Sequence, residues 1–140
     1  MHLGEQFRSN VVTVEPDDTI VTAMWKMRDH NVGAAVVAEG KQVKGLVTDR
    51  DIAIRLCGGE AAPESSVSRI MSQPPITIRE DQGIFNATQL MAQHQIRRLP
   101  IVDKNDVLVG IVSFDDMLAL CASELSNLSK IVEPTLTAQV

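Results

Sequence analysis

The stretch GLVTDRD (Gly45–Asp51) returns later in the chain as GIVSFDD (Gly110–Asp116). Around these stretches, residues 12–51 align with residues 76–116 over a repeat of about 64 residues. Self-similarity at a fixed period is the signature of a fold built from repeated units. Two copies are too few for a solenoid, so they predict two units that complete each other's core around a pseudo-twofold axis.

Each repeat has the same predicted order of elements, β-α-β-β-α. Short β-branched or apolar runs predict strands, and apolar residues at helical spacing predict the helices between them. The expected fold class is α+β, with a small mixed sheet packed on two helices in each repeat. The predicted boundaries are 1–59 for repeat 1 with its N-terminal segment, 60–74 for a linker, 75–132 for repeat 2 with an extended C-terminal helix, and 133–140 for a tail. Residues 1–10 are expected to wrap onto the partner repeat.

The composition excludes several classes of function. A net charge of −5 and an aromatic content of 3% argue against nucleic-acid binding, which needs basic faces or stacking platforms. No apolar run approaches the ~18 residues of a membrane span, and the N-terminus lacks a signal-peptide core. We therefore expect a cytoplasmic protein without membrane or nucleic-acid partners. Cys57 and Cys121 are expected to be buried free thiols.

The duplicated S/T-x-x-D pattern allows two interpretations. Thr48 with Asp51, and Ser113 with Asp116, each match a capping box that only stabilises a helix start. The same atoms also suit a sugar-phosphate, because helix N-termini favour anions and a carboxylate accepts from ribose hydroxyls. The two interpretations are compatible, since a cap can exchange its partner for a ligand.

A second pattern distinguishes the two repeats. Arg97 and Arg98 precede a predicted strand, whereas the equivalent residues of repeat 1 are Gly33 and Ala34. Such arginines are often solvated, but guanidinium is also the preferred bidentate donor to phosphate. The asymmetry predicts one stronger and one weaker anion site, and we expect Asp116→Ala to weaken binding more than Asp51→Ala.

Catalysis and metal binding find no support in the sequence. There is no Ser-His-Asp arrangement, P-loop or G-x-S-x-G, and Asp115 and Asp116 diverge by about 100° on a helix. His30 and His94 stand near helix C-termini, where imidazole suits the dipole, and no zinc-type Cys/His cluster accompanies them. We expect no enzyme, no catalytic or metal-binding residue and no required cofactor.

With both repeats laid out, the chain resembles a tandem pair of CBS domains, the Bateman module, as found in stand-alone prokaryotic CBS proteins. The resemblance rests on the stretches at 45–52 and 110–117, on His30–Ala34 and on the QIRRLPIVD run at 95–103. It implies an adenosine ligand in clefts between the repeats: AMP, ADP, ATP, NAD or S-adenosylmethionine. The residues that it assigns to nucleotide binding are Thr48, Asp51, Ser113 and Asp116 for the ribose-phosphate, Arg97 and Arg98 for phosphate, and Val12, Thr13, Ile76 and Thr77 for adenine.

The sequence is compatible with two functions. The first is a regulatory, energy-sensing module whose bound adenine nucleotide changes its interaction with a protein partner. The alternative is a structural dimerisation or interaction module with degenerate sites, in which the capping boxes only stabilise helices. A homodimer is expected under both, because the apolar stripe that includes Met117, Cys121 and Leu125 exceeds what one pair of repeats can cover.

Overall fold

The computed structural model describes the backbone of residues 1–138 and the side chains of residues 1–132. Two three-stranded mixed sheets, each with two helices, form the body of the molecule, which confirms the predicted α+β fold. A short helix, α1, precedes the first repeat and a 3-10 turn precedes the second. The elements in chain order are α1 (Leu3–Phe7), β1 (Thr13–Val14), α2 (Ile20–His30), β2 (Ala34–Glu39), β3 (Gln42–Thr48), α3 (Asp49–Cys57), the 3-10 turn (Val67–Arg69), β4 (Ile78–Arg79), α4 (Ile84–His94), β5 (Arg98–Val102), β6 (Leu108–Ser113) and α5 (Phe114–Ala138).

The two sheets have identical connectivity. In the first sheet β1 runs parallel to β2 and β2 pairs antiparallel with β3, and β4, β5 and β6 repeat this arrangement. The middle strands β2 and β5 are almost continuously buried, as expected for strands covered on both faces. A separate apolar cluster fills each repeat, one around Ile20, Val37 and Val47 and the other around Leu99 and Ile101.

The core of each repeat is completed by a segment that belongs to the other. We call residues 3–8 and 67–72 the leading segments, since each precedes a repeat. Leu3 is 2% exposed and joins the core of the second repeat, whereas Val67 and Ile70 join the core of the first. The N-terminal segment is therefore packed on the partner repeat, as expected from its sequence, and its structural counterpart is the segment that leads into repeat 2.

Equivalent backbone hydrogen bonds hold the two leading segments. The N–H of Leu3 donates to the Gln82 carbonyl at 2.9 Å, and the N–H of Val67 donates to the Asp18 carbonyl at 2.8 Å. Each segment then passes directly over a glycine of a third strand, Gly110 in one case and Gly45 in the other. A Cβ on Gly110 would stand 2.1 Å from the Phe7 carbonyl oxygen, so this close approach requires glycine.

Two expectations from the sequence are wrong. Helix α5 continues to Ala138, so the tail expected from Glu133 is helical to that point, and residues 139–140 lie outside the described part. Once a helix is established each added residue costs little, so the backbone stays helical past Pro134 although proline removes one N–H donor and crowds the preceding turn. Cys57 and Cys121 are free, as expected, but exposed. Cys57 is the last residue of α3, and Cys121 lies on a side of α5 that this chain leaves uncovered.

Candidate functional site

Helices α3 and α5 begin with the same hydrogen-bonded arrangement. Thr48 Oγ1 accepts from the Asp51 N–H at 3.1 Å, while Asp51 Oδ2 accepts from the Thr48 N–H at 3.0 Å. Ser113 and Asp116 repeat this arrangement with distances of 3.1 and 2.8 Å. Both capping boxes expected from the sequence are therefore complete.

Each capping carboxylate keeps one oxygen outside the cap. The bonds to Thr48 and Ser113 use only Oδ2 of Asp51 and Asp116, and no ion pair among the side chains of residues 1–132 involves either carboxylate. All four side chains are half-buried, so they are accessible yet partly shielded from water. A hydroxyl-bearing ligand can therefore approach either aspartate without breaking the cap.

Two clefts run along the contact between the repeats, and each one joins elements of both. A narrow cleft of about 50 Å³ brings Ile76, at the entry to β4, against Gly45 and Leu46 of β3. A wide cleft of about 780 Å³ brings Thr13 of β1 against Leu108 and Val109 of β6. Strand β3 ends at Thr48 and β6 ends at Ser113, so each cleft borders a third strand whose end carries a capping box, but the lining of neither cleft includes the capping residues.

This crosswise pairing was not anticipated from the sequence. Of the four residues expected to contact adenine, Thr13 and Ile76 line the clefts. Val12 packs against the first core instead, and Thr77 is half-buried after Ile76. The pairing depends on how the two sheets pack against each other. The sequence of a single repeat contains no local pattern that predicts this packing.

Arg97 and Arg98 lie on opposite sides of the chain, because successive residues entering a strand alternate in direction. Arg97 is exposed, and its guanidinium carbon stacks 4.7 Å above the centre of the Phe114 ring, in a groove between α4 and α5. Arg98 is half-buried and lines the narrow cleft with Ile76. The two arginines, expected to act together on phosphate, are therefore separated.

Arg98 reaches across to the first repeat. A Cβ built on Gly33 would stand 3.2 Å from Arg98 Nη2 and 3.1 Å from Asp49 Oδ2, so both side chains approach the same space. The Asp49 N–H donates to the Gly33 carbonyl at 3.0 Å, which fixes this space beside the first residue of α3. The absent side chain of Gly33 thus makes room for an arginine of the other repeat.

The wide cleft has a mixed electrostatic character. Arg8 and Lys41 line it together with Asp103. The pKa of Asp103 lies below its ordinary value of 3.8, mainly because the Val107 N–H donates to the carboxylate. The Asn105 N–H and the positive charge of Arg8 lower this pKa further, so Asp103 stays ionised at neutral pH.

These groups are of the kinds that hold a polyhydroxylated anion. They offer carboxylate oxygens for hydroxyls, helix N-termini and guanidinium for phosphate, and apolar cleft walls for a flat ring. Within residues 1–138, none of the helices has the length and apolar character needed to cross a membrane.

Comparison with known proteins identifies this arrangement. The model of the CBS domain family matches residues 5–58 and 67–123. The CBS domain-containing protein YhcV of Bacillus subtilis is 46% identical over 119 residues, which cover 85% of this chain and 82% of YhcV. An uncharacterized protein of Methanopyrus kandleri is 42% identical over 118 residues, covering 83% of this chain and 60% of that longer protein. The solved structure of a CBS domain protein from Pyrobaculum aerophilum complexed with AMP has a TM-score of 0.78 at 25% identity, covering 88% of this chain and 99% of that one.

Proposed function

The chain belongs to the CBS domain family, and from that premise we propose that it is a non-catalytic regulatory module that binds an adenine nucleotide or adenosyl ligand between its repeats. The observation that carries this proposal is the pair of half-buried carboxylates, Asp51 and Asp116, each with one oxygen outside its cap. The AMP complex of the Pyrobaculum relative supports the ligand class. AMP, ADP, ATP, NAD and S-adenosylmethionine are the ligands to compare.

The regulatory mechanism rests on differential affinity. The clefts are formed by both repeats, so a ligand that contacts both binds most tightly in one relative arrangement of the two. Ligand occupancy then shifts the chain toward that arrangement by the difference in affinity alone. A protein partner that recognises one arrangement would read out the nucleotide concentration.

The decisive experiment separates ligand binding from helix capping. In Asp51→Asn and Asp116→Asn the amide oxygen can still accept from the cap N–H, but the charge that receives ribose hydroxyls is lost. AMP binding is measured by titration calorimetry and the melting temperature by circular dichroism. We expect at least one of these variants to lose about 1.5–3 kcal/mol of binding, roughly 10- to 150-fold, with little change in melting temperature.

The control is Asp115→Asn, which makes the same charge change at an exposed neighbour of Asp116. It should leave AMP affinity unchanged. Loss of affinity in the control to the same extent, or unchanged affinity in both cap variants, would contradict the proposed role of the capping carboxylates.

The completeness of both capping boxes favours a second candidate, a structural interaction module with degenerate sites. Under it, Asp51→Ala and Asp116→Ala each lower the free energy of unfolding by about 1 kcal/mol, as loss of a cap does. No ligand of the panel would then raise the melting temperature of the unmodified protein.

We further propose a homodimer that covers the apolar faces of the helices. Leu118, Leu125, Leu128 and Ile131 of α5 are between 53% and 71% exposed. Beside them, a groove of about 420 Å³ between α4 and α5 includes Met117 and Cys121. An equivalent groove of about 590 Å³ lies between α2 and α3, and a twofold-related copy would cover both kinds of groove.

Sedimentation equilibrium tests this proposal. We expect a dimer for the unmodified chain and a monomer for Leu125→Glu/Leu128→Glu. The control, Glu124→Gln/Lys130→Gln, changes exposed polar positions of the same helix and should leave the dimer intact. A concentration-independent monomer of the unmodified chain would contradict the proposal.

A further inference from the structure

We propose that the second half of α5 pairs with the same segment of a second copy, so that the dimer forms head to head, with the second repeats of the two copies facing each other. We call residues 121–132 the free half of α5, because every residue in it is exposed. This inference rests on the proposed homodimer and adds which surfaces meet in it. The arrangement that it excludes is a head-to-tail dimer, in which repeat 1 faces repeat 2 of the partner.

The free half of α5 extends beyond the body of its own chain. Met117 is buried and Leu120 packs against the second core, whereas all residues from Cys121 to Val132 are exposed, whichever side of the helix they occupy. Helix α3, the equivalent helix of repeat 1, ends at Cys57 after 9 residues. The free half therefore adds nothing to the core of this chain, and its apolar side chains are left for a partner.

The exposed apolar residues of α5 follow a period of 3.5 residues. Steps of four and three alternate along the helix, through the positions Phe114, Leu118, Cys121, Leu125, Leu128 and Val132. We call these six residues the stripe. This period is typical of helices that wind around each other, because winding keeps such a stripe against the partner helix. Between Met117 and Val132 the only charged residues are Glu124 and Lys130, and neither belongs to the stripe. Two copies of the stripe can therefore meet without burying a charge.

The stripe is large enough for a stable contact between two copies. Leu118, Leu125, Leu128, Val132 and the adjacent Ile131 are between 51% and 71% exposed. At roughly 90 Å² for each side chain, they bury about 900 Å² of apolar surface when two copies pair. About two-thirds of a homodimer interface is apolar, so the whole contact reaches about 1,400 Å², which lies within the usual range of specific interfaces.

The lengths of the helices favour the head-to-head orientation. In a head-to-tail dimer α5 would lie against α3 of the partner, whose 9 residues span about 14 Å, whereas the 25 residues of α5 span about 37 Å. Leu125, Leu128 and Val132 would then stay in water. In a head-to-head dimer each α5 faces the other, so helices of equal length cover the same stripe on both copies, as an isologous contact requires.

The two native cysteines, one in each repeat, report the orientation. Cys57 ends α3, Cys121 begins the free half of α5, and both are exposed and free. Dilute protein is treated with a flexible bis-maleimide that spans about 16 Å, the length of about eleven helical residues, and the linked peptides are mapped by mass spectrometry. We expect Cys57→Ser, which retains only Cys121, to yield as much covalent dimer as the unmodified chain.

Charged variants test the stripe itself by sedimentation equilibrium. Leu125→Glu/Leu128→Glu should raise the dimer dissociation constant by about 100-fold, tenfold for each leucine removed from the contact, and should abolish the Cys121 cross-link. The matched control is Ser123→Glu/Ser126→Glu, which adds the same two charges to the same helix away from the stripe and should retain both the dimer and the cross-link. All four positions are exposed, so circular dichroism should show an unchanged fold.

The possible outcomes separate this inference from the homodimer proposal. A dimer whose only links join Cys57 to Cys121, and which neither Cys57→Ser nor Cys121→Ser can form covalently, would overturn the head-to-head orientation. Equal loss of the dimer in Ser123→Glu/Ser126→Glu would overturn the assignment of the contact to the stripe. A monomer of the unmodified chain at every concentration is a different result, because the proposed homodimer itself then fails.

Discussion

Replacing Gly110 by alanine tests the crossing of the first leading segment over β6. The new Cβ would stand 2.1 Å from the Phe7 carbonyl oxygen, whereas ordinary contact begins at 3.4 Å, so the segment must retreat by about 1.3 Å. The N–H of Ser9 donates to the Val109 carbonyl at 3.0 Å, and a retreat of that size lengthens this bond beyond hydrogen-bonding distance. The obstacle is backbone, which cannot rotate away as a side chain can.

The expected destabilisation follows from these two effects. Overpacking costs about 1–3 kcal/mol and the lost hydrogen bond about 1 kcal/mol, so we expect about 3 kcal/mol. Unfolding of a chain of 140 residues has an entropy near 0.3 kcal/mol per kelvin, which converts this cost into a melting temperature lower by about 10 °C. Hydrogen exchange should also show faster exchange at the N–H groups of residues 3–9.

The control is Gly40→Ala, where the added Cβ meets nothing within 4 Å but the φ of +61° strains a side-chain-bearing residue by about 1 kcal/mol. Gly45→Ala should fall between the two, because its Cβ would stand 2.5 Å from the Ser72 carbonyl oxygen, while Met71 can move aside. If Gly110→Ala melts no lower than Gly40→Ala, the close approach of the Phe7 backbone does not exclude a side chain at position 110.

Two more predictions concern the same parts of the molecule. Leu3→Ala should lower the free energy of unfolding by about 2–5 kcal/mol in denaturant titrations, because the Leu3 side chain is only 2% exposed. The control is Ile54→Ala, which removes a side chain that is 53% exposed and should change the free energy of unfolding by less than about 0.5 kcal/mol. Asp103 has a lowered pKa in the folded state, so its contribution to stability is complete above the ordinary pKa of 3.8 and is lost as the pH falls through the folded pKa. The difference in unfolding midpoint between the unmodified chain and Asp103→Ala should therefore shrink as the pH falls below about 5 and through the lowered folded pKa, and a constant difference would contradict this origin.

The local features of this fold could be predicted from the sequence because they depend on neighbours along the chain. The hydroxyl of Thr48 and the carboxylate of Asp51 are three residues apart, the spacing that a capping box needs, and both boxes form as expected. Side chains alternate along a strand, so the sequence also contains the reason why Arg97 and Arg98 face opposite ways, although both were expected to contact phosphate.

Relations between the repeats were harder to predict because no local pattern encodes them. The sequence shows that Gly33 replaces an arginine of the other repeat, which suggests a missing function. The structure gives this glycine another role, since its empty side-chain position faces Arg98, 65 positions further along the chain. The exposure of Cys57 and Cys121 depends likewise on what packs over each helix.

The exchange of leading segments has a consequence for how such a chain originates. A single ancestral repeat with this design could not complete its own core, because its leading segment packs into the core of the other repeat. Two separate copies could do so by trading segments, as domain-swapped dimers do. Duplication and fusion would then turn an exchange between molecules into one within a single polypeptide, free of any dependence on concentration. Once joined, the two repeats could diverge in sequence. One could then have an arginine at a position where the other has an alanine.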